Sequence, residues 1–128
     1  MKHLPNVVGA LLGFLFVASG LVVLLKLGPT PPAPPEGSAA AQFMAAMAPT
    51  GYLSFVKVVE VIGGILVAIP RARNFGLLAL GPVVINIIAF HAFILKGEGL
   101  FTAPILIMSA MAAYLLWSGR KEFAGLLR

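Results

Sequence analysis

Cysteine is absent from this 128-residue chain. That removes disulfides, thiolate zinc sites, iron–sulfur ligation and dithiol redox chemistry from the residues available. Histidine occurs twice, at His3 and His91, too few for a multi-ligand metal constellation. Acidic residues number four, and charged residues of both signs make up 10% of the chain, where a soluble domain carries about 25%. No nucleophile elbow, dinucleotide fingerprint or pair of catalytic carboxylates is present, and Gly63-Gly64 and Gly97-x-Gly99 are too little to form phosphate loops.

What fills the chain instead is hydrophobic: 60% of residues, with a mean hydropathy of +1.04. Only an integral membrane protein solvates so much apolar surface, and the length suits a single membrane domain, 1–128. The net charge of +5 does not indicate nucleic acid, because the basic residues sit at segment ends and form no continuous stripe. They set topology instead.

The expected fold is all-α, a bundle of four transmembrane helices. A span needs about 20 residues, and the apolar segments give spans at about 5–27, 50–69, 75–95 and 100–117. Met1-Lys2-His3 and the run that follows imitate a secretory signal, but the run is too long for a signal core. Asn6, Gly9, Gly13 and Gly20 recur along one side of the first span, and Gly9 and Gly13 allow a close helix contact. That contact is expected inside one bundle. Pro29, Pro31, Pro32, Pro34 and Pro35 remove backbone donors and make 28–37 a stiff, extended connector. Ser38 reads as the N-cap of a short helix over 39–47 before Pro49. Phe43, Met44 and Met47 share one side of it, which suits a helix resting on the bilayer or on the top of the bundle. Pro70 ends the second span, Pro82 lies inside the third, and Tyr114 and Trp117 suit an aromatic belt.

Four spans place both termini and the Arg71/Arg73 turn on one side. That side carries Lys2, Arg71, Arg73, Arg120, Lys121 and Arg128, and the other carries Lys26 and Lys96. The positive-inside rule makes the first side, with both termini, cytoplasmic and the proline-rich loop external.

Within the second span stand Lys57 and Glu60. Three positions apart, they lie about 60° apart on a helix and can pair directly. Glu60 falls near the midplane, roughly 17 Å from the Arg71 end, with Lys57 roughly 21 Å from it. Asn86 on the next antiparallel helix lies at a comparable height and is expected to hydrogen-bond one of them, making Lys57, Glu60 and Asn86 a candidate polar site. Intramembrane ionisable residues are functional candidates by default, and a neutralised pair that fixes helix register is the competing reading. His91 lies about 140° around the helix from Asn86. A lone histidine can ligate a haem or chlorophyll metal or bond a quinone carbonyl. More commonly a neighbouring carbonyl or interfacial water satisfies it, and that is the expectation for His91.

The order Ala18-Ser19-Gly20, a proline-rich loop, Gln42-Phe43-Met44, Thr50-Gly51-Tyr52-Leu53, Val56-Lys57-Val58-Val59-Glu60-Val61 and Gly81-Pro82-Val83-Val84-Ile85-Asn86-Ile87-Ile88-Ala89-Phe90-His91 resembles the DoxX-like family of small four-helix bacterial membrane proteins. Lys-x-x-Glu and Pro-x-x-x-Asn-x-x-x-Phe-His are its most specific parts, and the likeness covers nearly the whole chain. The first span departs from the family pattern, since Gly20 is followed by Leu21-Val22-Val23 and the next lysine is Lys26. The resemblance implies a link to redox enzymes, because the family takes its name from a membrane subunit associated with thiosulfate oxidation coupled to quinone.

The expected function is therefore an accessory subunit of a larger membrane assembly, non-catalytic by itself, with the lipid bilayer and other membrane subunits as partners and no nucleic acid. The alternative is a quinone-linked subunit using Lys57, Glu60, Asn86 or His91, which requires an apolar cavity beside them. A third option is a small transporter or proton path through Glu60; the chain shows no broken-helix repeats of the kind transporters carry.

Overall fold

The computed structural model describes residues 2–127; Met1 and Arg128 lie outside the described residues. Among them every regular element is helical. The first helix, α1 (Leu4–Leu24), is followed by the extended proline-rich connector, then by α2 (Ala39–Met47) and α3 (Tyr52–Ala68). α4 (Arg73–Ala89) runs on as a π-helical segment over Phe90–Ile94, and α5 (Ala103–Ser118) is followed by the short α6 (Arg120–Ala124). Two helices, Leu4–Leu24 and Arg73–Ile94, are long and apolar enough to cross a membrane. The bent pair α2 and α3 makes a third if taken as one span, and α5 is a shorter apolar helix.

Local chemistry explains where each helix stops. α1 ends before the expected position 27 because Lys26 turns left-handed at φ 54°. Leu27 N–H then bonds the Val22 carbonyl and Lys26 N–H the Val23 carbonyl, which satisfies carbonyls that the helix end would orphan. Ser38 caps α2 as expected, its hydroxyl oxygen accepting from Ala41 N–H at 3.1 Å. The helix expected over 50–69 runs as α3 from Tyr52 to Ala68, separate from α2 as expected. Gly51 has φ +82°, and α2 and α3 meet there at 79°. The helix expected over 100–117 starts at Ala103, since Gly99–Thr102 forms a turn closed by Thr102 Oγ1 donating to the Gly99 carbonyl.

α3 is the central element, packed against α1 on one side and α4 on the other, while α5 touches α1 and α4. One buried cluster joins Leu12 and Phe16 of α1, Val67 of α3, Leu77, Leu80 and Val84 of α4, and Ala112 and Leu115 of α5. The glycine stripe of α1 is an internal packing face, as expected. A Cβ on Gly13 would strike the Gly64 carbonyl, and one on Gly20 would lie 3.0 Å from the Lys57 carbonyl. Many large apolar side chains point outward, among them Phe14, Phe55, Phe75, Ile85 and Phe93, the last 80% exposed. Burying such a face from water is favourable by about 25 cal/mol per Å², so a hydrocarbon surrounding suits this surface.

The two ends of the molecule differ. At one end Arg73 reaches across to α1: Nε donates to the Val67 carbonyl at 3.0 Å and a terminal nitrogen to Asn6 Oδ1 at 3.1 Å. Gly119, after α5, packs on Asn74 at that same end. At the other end α2 lies across the helix tips, with Phe43 against Phe90 at a ring separation of 4.9 Å.

Candidate functional site

The buried side of α3 reads Glu60, Gly63, Gly64, Val67, a spacing of three, four and seven that defines one helical stripe. Glu60 thus occupies a core position and is 3% exposed, whereas Lys57, one turn toward α2, keeps 18% of its side chain exposed. Lys57 Nζ lies 3.2 Å from Glu60 Oε2 and donates to Oε1 at 3.4 Å. The lysine stem can extend toward the α2 end while its ammonium stays beside the carboxylate. Gly20 makes room for this turn of α3 against α1.

Two cavities meet at the pair. The larger, about 480 Å³, is an apolar cleft between α1 and α5, with Leu15, Phe16 and Ser19 on one wall, Ala103, Pro104 and Met108 on the other, and Lys57, Glu60 and Ile87 at its back. The second, about 290 Å³, lies beneath α2, which contributes Phe43, Met44 and Met47; Val23, Leu53, Val56, Asn86, Phe90 and again Lys57, Glu60 and Ile87 complete it. The side of α2 that carries Phe43 and the methionines thus faces the molecule.

Asn86 requires a correction. The expected bond to Lys57 or Glu60 is not made, and among the described residues no protein group hydrogen-bonds its amide. It is exposed, and it lines both the chamber under α2 and a third cavity of about 420 Å³ beside Tyr52, Val56 and Pro82. The helix rotation that buries Val84 and Leu80 turns Asn86 to the rim of the chamber rather than onto the ion pair.

His91 stands apart from the pair and lines none of these three cavities. Its Nδ1 lies 2.8 Å from the Ile87 carbonyl, where the α-helix gives way to the π segment. A carbonyl only accepts, so Nδ1 carries the proton. The ring also stands edge-on to Phe90 at 5.6 Å.

Sequence reasoning missed Ser19 and Met108 as cleft residues and Arg73 as the tie between α1 and the α3–α4 turn. Ser19, polar within an apolar helix, is the one signal that pointed to the cleft. Among the described residues no group of three or more His, Asp or Glu is placed to hold a metal ion. Chemically, the arrangement offers a hydrogen-bond donor and an acceptor side by side at the back of an apolar cleft.

The chain is 29% identical over 134 aligned residues to uncharacterized protein YwoB of Bacillus subtilis (strain 168), a match that spans 99% of this chain and 84% of the relative. No protein-family profile and no solved structure matches the chain.

Proposed function

We propose that this chain is a DoxX-like bundle of four transmembrane helices in a bacterial inner membrane, and that it serves as a small quinone-binding subunit of a larger redox-linked assembly. The observation that carries the reading is the Lys57–Glu60 pair at the back of an apolar cleft of about 480 Å³. A quinone needs this combination: an apolar slot for its body and a few convergent polar groups for its head. Lys57 donates to a head-group carbonyl oxygen, Glu60 accepts from the hydroxyl of the reduced form, and the α1–α5 walls hold the tail. Electrons come from a partner subunit, and this chain contributes the site.

The topology completes the reading. Arg71, Arg73, Arg120 and Lys121 gather at the end where Arg73 grips α1, and the Arg120 guanidinium lies 4.1 Å over the Trp117 ring. Under the positive-inside rule that end faces the cytoplasm with both termini, and α2 lies at the outer surface. Phe101 and Trp117, both exposed, flank the short α5 as interfacial anchors.

The test is extraction of the full-length protein from native membranes in mild detergent, followed by analysis of bound lipid and protein. Wild type is expected to carry quinone in near-stoichiometric amount together with a partner subunit. Met108→Trp, which fills the cleft, should lose the quinone. Wild type without quinone overturns the binding role, and a monodisperse protein without a partner overturns the subunit role.

A further inference from the structure

The cleft and the chamber beneath α2 share three residues, Lys57, Glu60 and Ile87. The ion pair is therefore a partition between a compartment opening among the α1 and α5 side chains and one at the α2 end. Asn86 distinguishes the second compartment. It is an amide within a membrane-spanning helix, exposed to space, with no protein partner among the described residues. Lipid cannot satisfy an amide, so at this depth the group calls for water or a polar solute. The chamber is roomy enough for several waters at about 290 Å³. With Lys57, Glu60 and Asn86 on its walls it offers the multiple polar partners that an ordered water requires. Lys57 and Glu60 are the charged groups among its lining residues.

The cover over this chamber is joined to the rest of the chain through two glycine turns. α2 has glycines with positive φ on both sides, Gly37 at +79° and Gly51 at +82°, and a Cβ at either would meet nothing within 4 Å. α2 touches α3 only lightly. Its Phe43 rests on Phe90, and Ala40 is its buried residue.

We propose that the chamber beneath α2 is a hydrated antechamber through which water from the α2-side surface reaches Lys57 and Glu60, with Asn86 as its water-binding residue and α2 as a hinged cover held shut by Phe43 on Phe90. The inference does not depend on what occupies the cleft. It gives the pair an aqueous side and an apolar side, so a head group bound in the cleft exchanges protons with the α2-side solution.

The absence of native cysteine makes single-cysteine labelling of the full chain in sealed membrane vesicles a direct test. The probe is a charged, membrane-impermeant methanethiosulfonate. Asn86→Cys is expected to react from the same side as Ala33→Cys in the proline-rich connector, and Leu78→Cys, exposed on the outer face of α4, is expected not to react. Phe43→Ala should speed labelling of Asn86→Cys about two- to tenfold, the range expected for loss of one aromatic pair. Should Asn86→Cys fail to fold, Leu53→Cys lines the same chamber and neither of the other two cavities, and it is expected to behave alike. Reaction with a lipid-soluble maleimide alone overturns the proposal, as does labelling from the Arg73 end or a rate unmoved by Phe43→Ala. Labelling in the expected pattern but insensitive to added quinone supports the antechamber while counting against the quinone reading of the cleft.

Discussion

Gly63 and Gly64 are neighbours in sequence and serve opposite walls of the molecule. A Cβ on Gly63 would come within 2.7 Å of the Leu80 side chain of α4, while one on Gly64 would lie 2.8 Å from the Gly13 carbonyl of α1. This double approach makes α3 the central helix, and it presents Glu60, one turn earlier on the same stripe, to the middle of the bundle.

The two contacts differ in what can yield. On Gly63 the contact is with a side chain, Leu80, whereas the Gly13–Gly64 contact is backbone against backbone. Gly13→Ala and Gly64→Ala are each expected to cost about 1–3 kcal/mol through overpacking, and Gly63→Ala distinctly less. Equilibrium unfolding of the purified protein in detergent measures the order. Equal costs at Gly63 and Gly64 would contradict the asymmetry.

For the ion pair, exposure decides which partner is harder to lose. Glu60 is 3% exposed and Lys57 18%. Lys57→Met strands a carboxylate in the core, which costs about 3–5 kcal/mol for a buried pair. Glu60→Leu leaves an ammonium that can extend toward the α2 end, so its cost is expected to be smaller. Lys57→Met combined with Glu60→Leu should recover most of the stability, because an apolar pair removes the desolvation cost of both charges. A double-mutant cycle reads the coupling. If quinone fails to return in the refolded double variant, the pair acts on the ligand as well as on the fold.

Arg73 holds two acceptors at once, Val67 carbonyl and Asn6 Oδ1. Arg73→Ala is expected to cost about 1.5–3 kcal/mol, the range for hydrogen bonds from a charged donor. Arg73→Lys should not rescue it, since an ammonium on a flexible stem lacks the planar fork that spans both oxygens. Asn6→Ala removes one bond and should cost about 1 kcal/mol. Proteolysis in the Arg71–Arg73 turn, together with unfolding, provides the measurement. Full rescue by lysine would show that charge alone matters there.

Much of this arrangement is legible in the sequence. Ser38 as cap, the helix over Ala39–Met47, the internal glycine face of α1 and the pairing of Lys57 with Glu60 all follow from interactions within a few residues. The break after α2 is legible from Pro49, but the 79° at which α3 leaves it at Gly51 is not, because that angle depends on how α2 packs over the helix tips. There the Thr50 hydroxyl bonds the Ala46 carbonyl at 2.6 Å and finishes α2 before α3 begins. Asn86 was misplaced for a related reason. Its height follows from counting residues, but the direction it faces depends on how α4 is rotated against α3.

The sequence by itself determined the apolar character of the surface, the apolar segments and the presence of a charged pair inside one of them. Composition and helical period carry that information locally. The tertiary structure alone decided that Glu60 is buried, that Asn86 faces a chamber, that Arg73 binds α1 and that two cavities meet at one ion pair. Each depends on the closeness and rotation of packed helices, which Gly13, Gly63, Gly64 and Gly76 set together through contacts distant in sequence.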